Sequence, residues 1–291
     1  MRLRVARVAL GAAAALLSVA AVVGITADVA AAPNAFQFST GLPDGKMAMA
    51  SRFASLGLIA IEAADDFVLP SETRISGASF TGLLPSGDPL SDVQVVGVEI
   101  YRVFPIDSTN PPSGQVPTRV NSPSDHQFTD VDSQAGTLSF TATEIAASFT
   151  AANSVLNGIH PLPNQTTGGE GAVTGEEVRF DVTFNPSLDL VAGRYFFVPQ
   201  VRLGPGKTFF WLSAPHPVVS PGTPFSPDLQ TWIRNENLLP NWLRVGTDVV
   251  GGTSPPQFNG TFSLVGSTVE APTTSPSPGA SPISVTPRFT G

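Results

Sequence analysis

The chain contains no cysteine and only two lysines, and charged residues make up 13% of its 291 residues. Without cysteine it forms no disulfide, no thiolate metal site and no lipidated cysteine anchor, and it has no cysteine nucleophile. The net charge is −8, and no basic run is interleaved with aromatic residues. An acidic chain of this kind is a poor partner for nucleic acid. The composition therefore excludes thiol chemistry and predicts no nucleic-acid partner.

Proline and glycine are abundant, with 28 and 27 residues, and 42% of the chain is hydrophobic. Prolines and glycines cluster between apolar runs, which indicates many turns rather than long helices. The length leaves room for one large all-β domain, since such domains commonly span roughly 200–250 residues. A core of that size can be stable without disulfides.

The N-terminus has the three parts of a secretory signal peptide. Residues 1–7 are basic, residues 8–25 are an unbroken run of apolar and small side chains, and residues 29–32 are small, as signal peptidases require. We predict a cleaved signal peptide over residues 1–31, and hence a bacterial protein that is secreted or held at the cell surface. The alternative is an uncleaved anchor, because about 18 apolar residues reach the lower limit for a membrane span. Membrane contact would then run through this segment alone.

The C-terminal residues 271–291 read APTTSPSPGASPISVTPRFTG and are rich in proline, serine and threonine. Such a segment has too little apolar surface to fold against a core. We therefore predict a disordered tail.

Between these ends, segments rich in valine, isoleucine, phenylalanine, threonine and tyrosine are separated by clusters of turn residues, a pattern typical of strands. In residues 177–184 apolar and polar side chains alternate, so one face is expected to point inward and the other to solvent. We predict one all-β domain over residues 36–266, a two-sheet, jelly-roll-like sandwich of about eight to eleven strands with one or two short helices. The clearest predicted strands are residues 66–69, 74–84, 93–104, 137–142, 177–184, 193–203, 208–214 and 258–265.

Two segments are candidates for helical structure. Residues 142–156 place apolar side chains from Ile145 to Leu156 at helical spacing, which predicts a short helix. Residues 229–239 are compatible with a helical turn or a strand, and Pro240 ends either one.

Five short motifs of the chain form a recognisable set. They are ADDFVLP at residues 64–70, VEIYR at 98–102, NQTTGGEG at 164–171, WLS at 211–213 and FNGTFSLVG at 258–266. With these motifs the chain resembles uncharacterised secreted bacterial β-sandwich proteins that share an "ADDF" strand near the start. The resemblance implies an exported sandwich with no established activity, and no functional residue is carried over. Members often end in a membrane-sorting helix, from which the polar tail of this chain departs.

The loop over residues 122–136 is the best candidate for a metal site. Asp125, Asp130 and Asp132 supply carboxylate oxygens close together in the sequence, and oxygen atoms are the ligands that calcium prefers. The spacing differs from that of the twelve-residue calcium loop, and acidic loop residues also cap turns. Calcium is therefore one interpretation of this loop, and a solvated or capping role is the other.

A second candidate site combines aromatic and amide side chains. Sugar-binding sandwiches present flat aromatic faces to the apolar side of a pyranose, flanked by polar groups for its hydroxyls. Trp232 and Trp242, with Arg234 and Asn235, would meet that need. The alternative is that both tryptophans are core residues, as we expect for Trp211 within an apolar run.

No catalytic motif is present. The histidines His126, His160 and His216 lie in loops rich in proline or serine, and neither Gly-x-Ser-x-Gly nor His-Glu-x-x-His occurs. A carboxylate pair for glycoside hydrolysis, such as Glu99 with Glu177, stays open because the sequence does not give the distance between them. Catalytic residues are therefore unassigned.

These observations favour an exported, non-enzymatic binding or structural module. Its expected partner is a polysaccharide or a cell-envelope component, and calcium is the only ion considered. The rival hypothesis is an exported hydrolase with a carboxylate- or histidine-based site, because sandwich folds host both classes.

Overall fold

The computed structural model describes residues 34–87, 90–111, 113–159 and 166–269. All of these residues lie in one compact unit that begins at Pro33. The predicted signal peptide over residues 1–31 and the predicted tail over residues 271–291 lie outside the described residues, and so does His160.

Strands dominate the described residues, and helical structure is limited to three short turns, Leu90–Asp92, Glu236–Leu238 and Val245–Val250. None of the turns in this part of the chain has the length and apolar character needed to cross a bilayer. The strands are β1 (Ala35–Ser39), β2 (Met47–Ala50), β3 (Ile61–Leu69), β4 (Thr73–Pro85), β5 (Val95–Arg102), β6 (Thr129–Asp132), β7 (Leu138–Ala151), β8 (Asn153–Val155), β9 (Val173–Leu190), β10 (Gly193–Arg202), β11 (Phe210–Ala214), β12 (Trp232–Asn235), β13 (Leu243–Arg244), β14 (Asn259–Gly260) and β15 (Phe262–Thr268).

Two sheets pack against each other and form an all-β sandwich. The first has nine strands: six follow the order β1-β15-β4-β11-β2-β8, β14 pairs with β11, and β9 lies between β4 and β7. The second has six strands in the order β13-β12-β3-β10-β5-β6. Among the described strands the pairing is antiparallel except between β2 and β8. The predicted two-sheet architecture is confirmed.

All eight segments predicted as strands overlap strands of the structure, but the described residues form fifteen strands, more than the eight to eleven predicted. The alternation predicted for residues 177–184 holds for Val178 and Phe180, which are fully buried, and for Arg179, which is exposed, but Glu177, predicted to point to solvent, is only 8% exposed. Strand β9 lies between β4 and β7 in the sheet. One face of β9 packs into the core, and the other carries its polar side chains.

The helix predicted over residues 142–156 is wrong, because this segment forms β7 and β8. The register of β7 with β9 shifts between Glu144 and Ala146 and again between Ala146 and Phe149. A β-bulge adds a residue to one strand and moves the alternation out of phase. Apolar side chains then recur at intervals that imitate a helix.

Residues 229–239 realise both predicted alternatives in succession. Strand β12 pairs with β3, and the turn Glu236–Leu238 follows directly. The Asn235 side chain accepts a hydrogen bond from the backbone N–H of Asn237 and so caps this turn.

The main core fills the space between the sheets and is rich in phenylalanine. Phe197 of β10 stacks on Phe262 of β15 with ring centroids 4.7 Å apart. Phe80 stacks on Phe180 at 5.0 Å within the nine-stranded sheet. Stacked aromatic pairs add to the free energy of burial, so these contacts stabilise both the sheet and the packing of one sheet on the other.

A second, smaller core covers the outer face of the six-stranded sheet. Val98 and Ile100 of β5 belong to the main core, so Tyr101 points to the opposite face. The connection between β5 and β6 contacts this face at Ser124, whose backbone carbonyl oxygen accepts from the indole N–H of Trp242 at 3.2 Å. The members of the second core are Ala64, Tyr101, Phe196, Val198, Trp232 and Trp242.

Candidate functional site

A groove lies on the outer face of the nine-stranded sheet, where β1, β15, β4 and β9 run side by side, and it encloses about 210 Å³. Ser79 pairs in register with Ser263, and Ser263 with Ser39. The hydroxyl oxygens of Ser79 and Ser263 are 2.7 Å apart. Because Phe80 and Phe262 point into the core, their neighbours along the strands point outward. The floor of the groove is therefore made of hydroxyl groups.

One wall is the connection between β1 and β2, which includes Gly41 and Leu42. The hydroxyl of Thr40 and the backbone N–H of Asp44 donate to carbonyl oxygens of neighbouring strands at 2.6 and 3.0 Å, so both ends of the connection are fixed. Gly41 makes the turn with a φ of +105°, a conformation that side chains disfavour. Leu42 is left 70% exposed beside the groove.

A second wall is Ile145 of β7. This residue is the extra one at the bulge between Glu144 and Ala146, and bulges commonly re-aim a side chain. Ile145 is half-exposed. Leu42 and Ile145 therefore place two aliphatic side chains around a hydroxyl floor.

Glu177 of β9 is the most unusual residue of the groove. Only 8% of its surface is exposed, and it lines the cavity. No described residue donates a hydrogen bond to its carboxylate or forms an ion pair with it. Burial raises the pKa of Glu177, because the charged form loses solvation. Buried polar groups normally have hydrogen-bond partners, so this carboxylate has capacity left for a ligand.

Arg179, two residues further along β9, also lines the groove. Its Nε and Nη2 donate to Asp181 Oδ1 at 2.9 and 2.7 Å. Both side chains are about half-exposed, at 50% and 44%. The guanidinium is therefore paired with Asp181 and leaves Glu177 without a charged partner.

The sugar-binding residues predicted from the sequence come together, but inside the protein. Trp232 and Trp242 are 1% and 0% exposed and belong to the second core. The Arg234 guanidinium lies 4.1 Å from the Trp242 ring centroid, and Asn235 Nδ2 donates to a backbone carbonyl at 3.0 Å. Neither indole offers a free face to a sugar ring, because both are buried among the other members of the second core. The predicted aromatic surface is not present.

Arg234 belongs instead to a polar network beside the second core. Its Nη2 lies 2.6 Å from both the Tyr101 hydroxyl and Glu62 Oε2. The Tyr101 hydroxyl is also 2.7 Å from Glu99 Oε2 and 3.2 Å from Glu62 Oε2. Burial, together with the charge of Glu62, raises the pKa of Glu99 to about 7. Glu62 is thus paired with Arg234, and the neighbouring Glu99 has a pKa near neutral.

The pair Glu99 with Glu177, considered as a catalytic pair, does not form. Glu99 lies on β5 of the six-stranded sheet, and its carboxylate meets Tyr101 on the outer side of that sheet. Glu177 lies on β9 and faces the groove on the outer side of the nine-stranded sheet. The main core separates the two carboxylates.

Asp125, the first of the predicted calcium ligands, is fully buried in an ion pair. Its Oδ1 accepts from Arg119 Nη2 at 2.5 Å, and its Oδ2 accepts from the backbone N–H groups of Thr109 and Asn110 at 3.0 and 3.1 Å. Burial opposes ionisation, but these hydrogen bonds outweigh it and lower the pKa of Asp125. Both carboxylate oxygens are occupied by protein donors.

The other two predicted calcium ligands have different surroundings from Asp125. Asp130 is exposed on β6, and Asp132 Oδ1 accepts from the backbone N–H of Ala135 at 2.6 Å and caps a turn. Among the described residues, no group of three or more histidine, cysteine, aspartate or glutamate side chains is arranged to hold a metal ion. The loop therefore matches the capping interpretation.

The two described histidines do not join the groove. His126 is exposed, and His216 Nε2 lies 3.2 Å from the backbone carbonyl oxygen of Asp228. Neither lines the groove that contains Glu177.

Sequence reasoning missed this groove because its floor joins residues from both ends of the domain, such as Ser39 and Ser263. The one signal available was the alternation in β9, which placed Glu177, Arg179 and Asp181 on the outward face. That pattern shows which side chains face outward but not that a loop and a bulge would enclose them.

Comparison of the chain with protein-family models, with curated proteins and with solved structures finds no match. The resemblance to secreted proteins with an "ADDF" strand stays a prediction. In the structure, Asp65 and Asp66 of this motif are fully buried. Asp66 pairs with Arg194, and its Oδ1 accepts from the backbone N–H of Leu229 at 3.0 Å.

Proposed function

We propose that the protein is an exported, non-enzymatic module that binds a polysaccharide, such as a component of the cell envelope, in the groove of the nine-stranded sheet. The observation that carries the proposal is Glu177, whose buried carboxylate lines a cavity with a hydroxyl floor and has no partner among the described residues. A sugar supplies hydroxyl donors for the carboxylate, and both donors and acceptors for the serine hydroxyls.

The size and the walls of the groove support a ligand that places one sugar ring in it. Its volume of about 210 Å³ is below the roughly 300–1,000 Å³ of pockets for drug-sized ligands. Leu42 and Ile145 provide apolar surface beside the floor, as the C–H side of a sugar ring requires. A polymer would contribute one ring to the cavity and extend across the open sheet face.

Export is supported by the N-terminal sequence, in which a basic segment, an apolar run and small residues succeed one another. An acidic net charge of −8 agrees with a solvent-exposed, soluble surface. The proposed location is therefore the cell surface or the medium, where polysaccharides are abundant ligands.

The test is retention of the purified protein on a panel of insoluble polysaccharides and cell walls. The groove variant is the double substitution Leu42→Ser and Ile145→Ser, which removes apolar contacts at exposed positions. The matched control is Leu56→Ser with Val191→Ser, at positions that are 87% and 62% exposed and outside the groove. We expect saturable retention that the groove variant weakens and the control preserves. Equal retention of both variants would place binding elsewhere, and no retention of the unmodified protein would end the proposal.

A hydrolase is the second candidate, and one observation favours it: Glu62 and Glu99 share the hydroxyl of Tyr101, with Glu62 paired to Arg234 and the pKa of Glu99 at about 7. A carboxylate paired with an arginine beside a second carboxylate of raised pKa is an arrangement that general acid catalysis of glycosides uses. The measurement is release of reducing sugar from the same panel. Activity that Glu99→Gln abolishes would favour the hydrolase, and no release would leave the binding proposal as the better account.

A further inference from the structure

The charges around the groove do not balance. Arg179 is paired with Asp181 through two donors to one carboxylate oxygen. The lining residues Ser39, Ser79, Thr81, Thr261 and Ser263 are neutral. Glu177 is therefore the one lining carboxylate, and its pKa is raised by burial without a contribution from a charged neighbour. The groove carries an uncompensated negative charge when Glu177 is ionised.

A neutral sugar would donate hydrogen bonds to the Glu177 carboxylate but would not balance its negative charge. A buried carboxylate without a counter-charge is costly, and a neutral donor leaves that charge in place, whereas an ammonium donor adds the attraction between opposite charges to the hydrogen bond. A ligand ammonium group would supply both the donor and the charge. The overall charge of −8 adds a long-range attraction for cations.

We infer that the groove selects an amino sugar with a free amine, so that the ligand is a cationic polysaccharide of such units. The ammonium group pairs with Glu177, the ring hydroxyls meet the serine and threonine hydroxyls of the floor, and the C–H side of the ring contacts Leu42 and Ile145. This inference rests on the proposed function, since it names the class of sugar that the same groove binds.

The structure also predicts which ligands the groove rejects. An N-acetylated sugar loses the ammonium charge and adds bulk at the nitrogen that faces Glu177. An acidic sugar places a second anion beside the Glu177 carboxylate, and like charges in a desolvated site repel strongly. Free amines, acetylated amines and uronic acids are therefore expected to bind in that order.

The test is a calorimetric titration of the full chain with a glucosamine oligosaccharide and with its N-acetylated form of the same length. We expect the free amine to bind at least about tenfold more tightly, as expected for a charge-assisted hydrogen bond. Binding of the amine should weaken as salt is raised, because screening reduces charge attraction. Glu177→Gln should remove the preference, and Glu176→Gln should keep it. Glu176 directly precedes Glu177 on β9 and does not line the groove. Both substitutions remove one negative charge, so the control matches the change in net charge.

The outcomes separate the two proposals. If the acetylated form binds as tightly as the amine, or if Glu177→Gln keeps the preference, the amine inference is overturned while polysaccharide binding stands. If neither oligosaccharide binds and the wider panel is not retained, both proposals fall. Thermal unfolding of each variant establishes that it is folded, and Glu177→Asp provides a second variant that keeps the charge but withdraws it from the ligand.

Discussion

Thr231 Oγ1 lies 3.3 Å from Asp65 Oδ1 and 2.8 Å from the backbone carbonyl oxygen of Phe258, in a fully buried site. A hydroxyl has one proton, and a carbonyl only accepts. Thr231 therefore shares its one proton between these two acceptors, with the shorter hydrogen bond to Phe258, and gives Asp65 only a weak donor. The second oxygen of Asp65 accepts from the backbone N–H of Gly260 at 3.0 Å. Burial and the charge of Asp228 raise the pKa of Asp65 well above its usual value.

The first prediction is that Asp65→Asn folds normally and changes how stability depends on pH. An asparagine amide can donate to Thr231 and accept from Gly260, so it replaces a protonated aspartate. Because the folded pKa of Asp65 is raised, the stabilisation it gives is complete below its unfolded pKa of about 4 and is lost as pH rises towards the folded value. Urea unfolding from pH 4 to pH 9 should show the unmodified protein losing stability relative to the variant as pH increases.

Asp65→Ala is the companion variant, because it removes both hydrogen bonds. It should lower the free energy of unfolding by about 1–3 kcal/mol near pH 4, since the N–H of Gly260 is left buried without a partner, and this loss should shrink as pH rises. The free energies of unfolding of the unmodified protein and of Asp65→Asn should therefore diverge as pH changes. A difference between them that is constant with pH would contradict a raised pKa of Asp65.

The second prediction concerns the ion pair of Arg119 and Asp125, both of whose side chains are fully buried. Asp125→Ala leaves the guanidinium buried without its counter-charge and should lower the free energy of unfolding by about 3–5 kcal/mol. The control is Asp189→Ala, which breaks an ion pair with Arg74 in which both side chains are more than half-exposed and should cost far less. Urea unfolding at neutral pH measures the free energy of unfolding of both variants. Similar losses of stability in the two variants would contradict the burial of the Arg119–Asp125 pair.

The third prediction is that calcium does not stabilise the protein. Both oxygens of Asp125 are held by protein donors, Asp130 points to solvent and Asp132 caps a turn. The thermal midpoint should be the same in excess calcium and in a chelator. A ligand that binds the folded state raises its stability by mass action. A thermal midpoint that increases with calcium concentration would therefore show that the folded protein binds calcium and would contradict this prediction.

The fourth prediction concerns the tryptophans, since Trp211, Trp232 and Trp242 are at most 1% exposed. Their fluorescence should resist quenching by iodide and should not change when a polysaccharide binds. Trp242→Ala should lower the free energy of unfolding by about 3–5 kcal/mol, because it opens a cavity between Tyr101 and Arg234. A binding defect in a variant that unfolds like the unmodified protein would indicate instead that an indole faces the ligand.

The strands of the sandwich were predictable because their two faces differ chemically. In β9 the residues Val178, Phe180 and Val182 alternate with charged side chains, and the structure buries the first set. The same rule failed in β7, where two bulges broke the alternation around Ile145. A local pattern identifies a strand as long as the strand stays in register with its neighbours.

The sites were less predictable because burial depends on segments far away in the sequence. Trp232 and Trp242 lie among polar residues in the sequence, yet both are buried in the second core, where Trp242 contacts Ser124 of the distant connection between β5 and β6. The groove depends on Ser39 and Ser263, which become neighbours only when the first and last strands of the sheet pair. Neither the burial of the tryptophans nor the pairing of Ser39 with Ser263 can be read from the local sequence around these residues.

That pairing of β1 with β15 also sets when the groove comes into existence. A chain still being synthesised, or a fragment cut before Phe262, has the strand that carries Glu177 but not the neighbour that completes the floor. If the groove binds a ligand as proposed, binding requires a chain in which β15 has joined the sheet, and cleavage within β15 should abolish it.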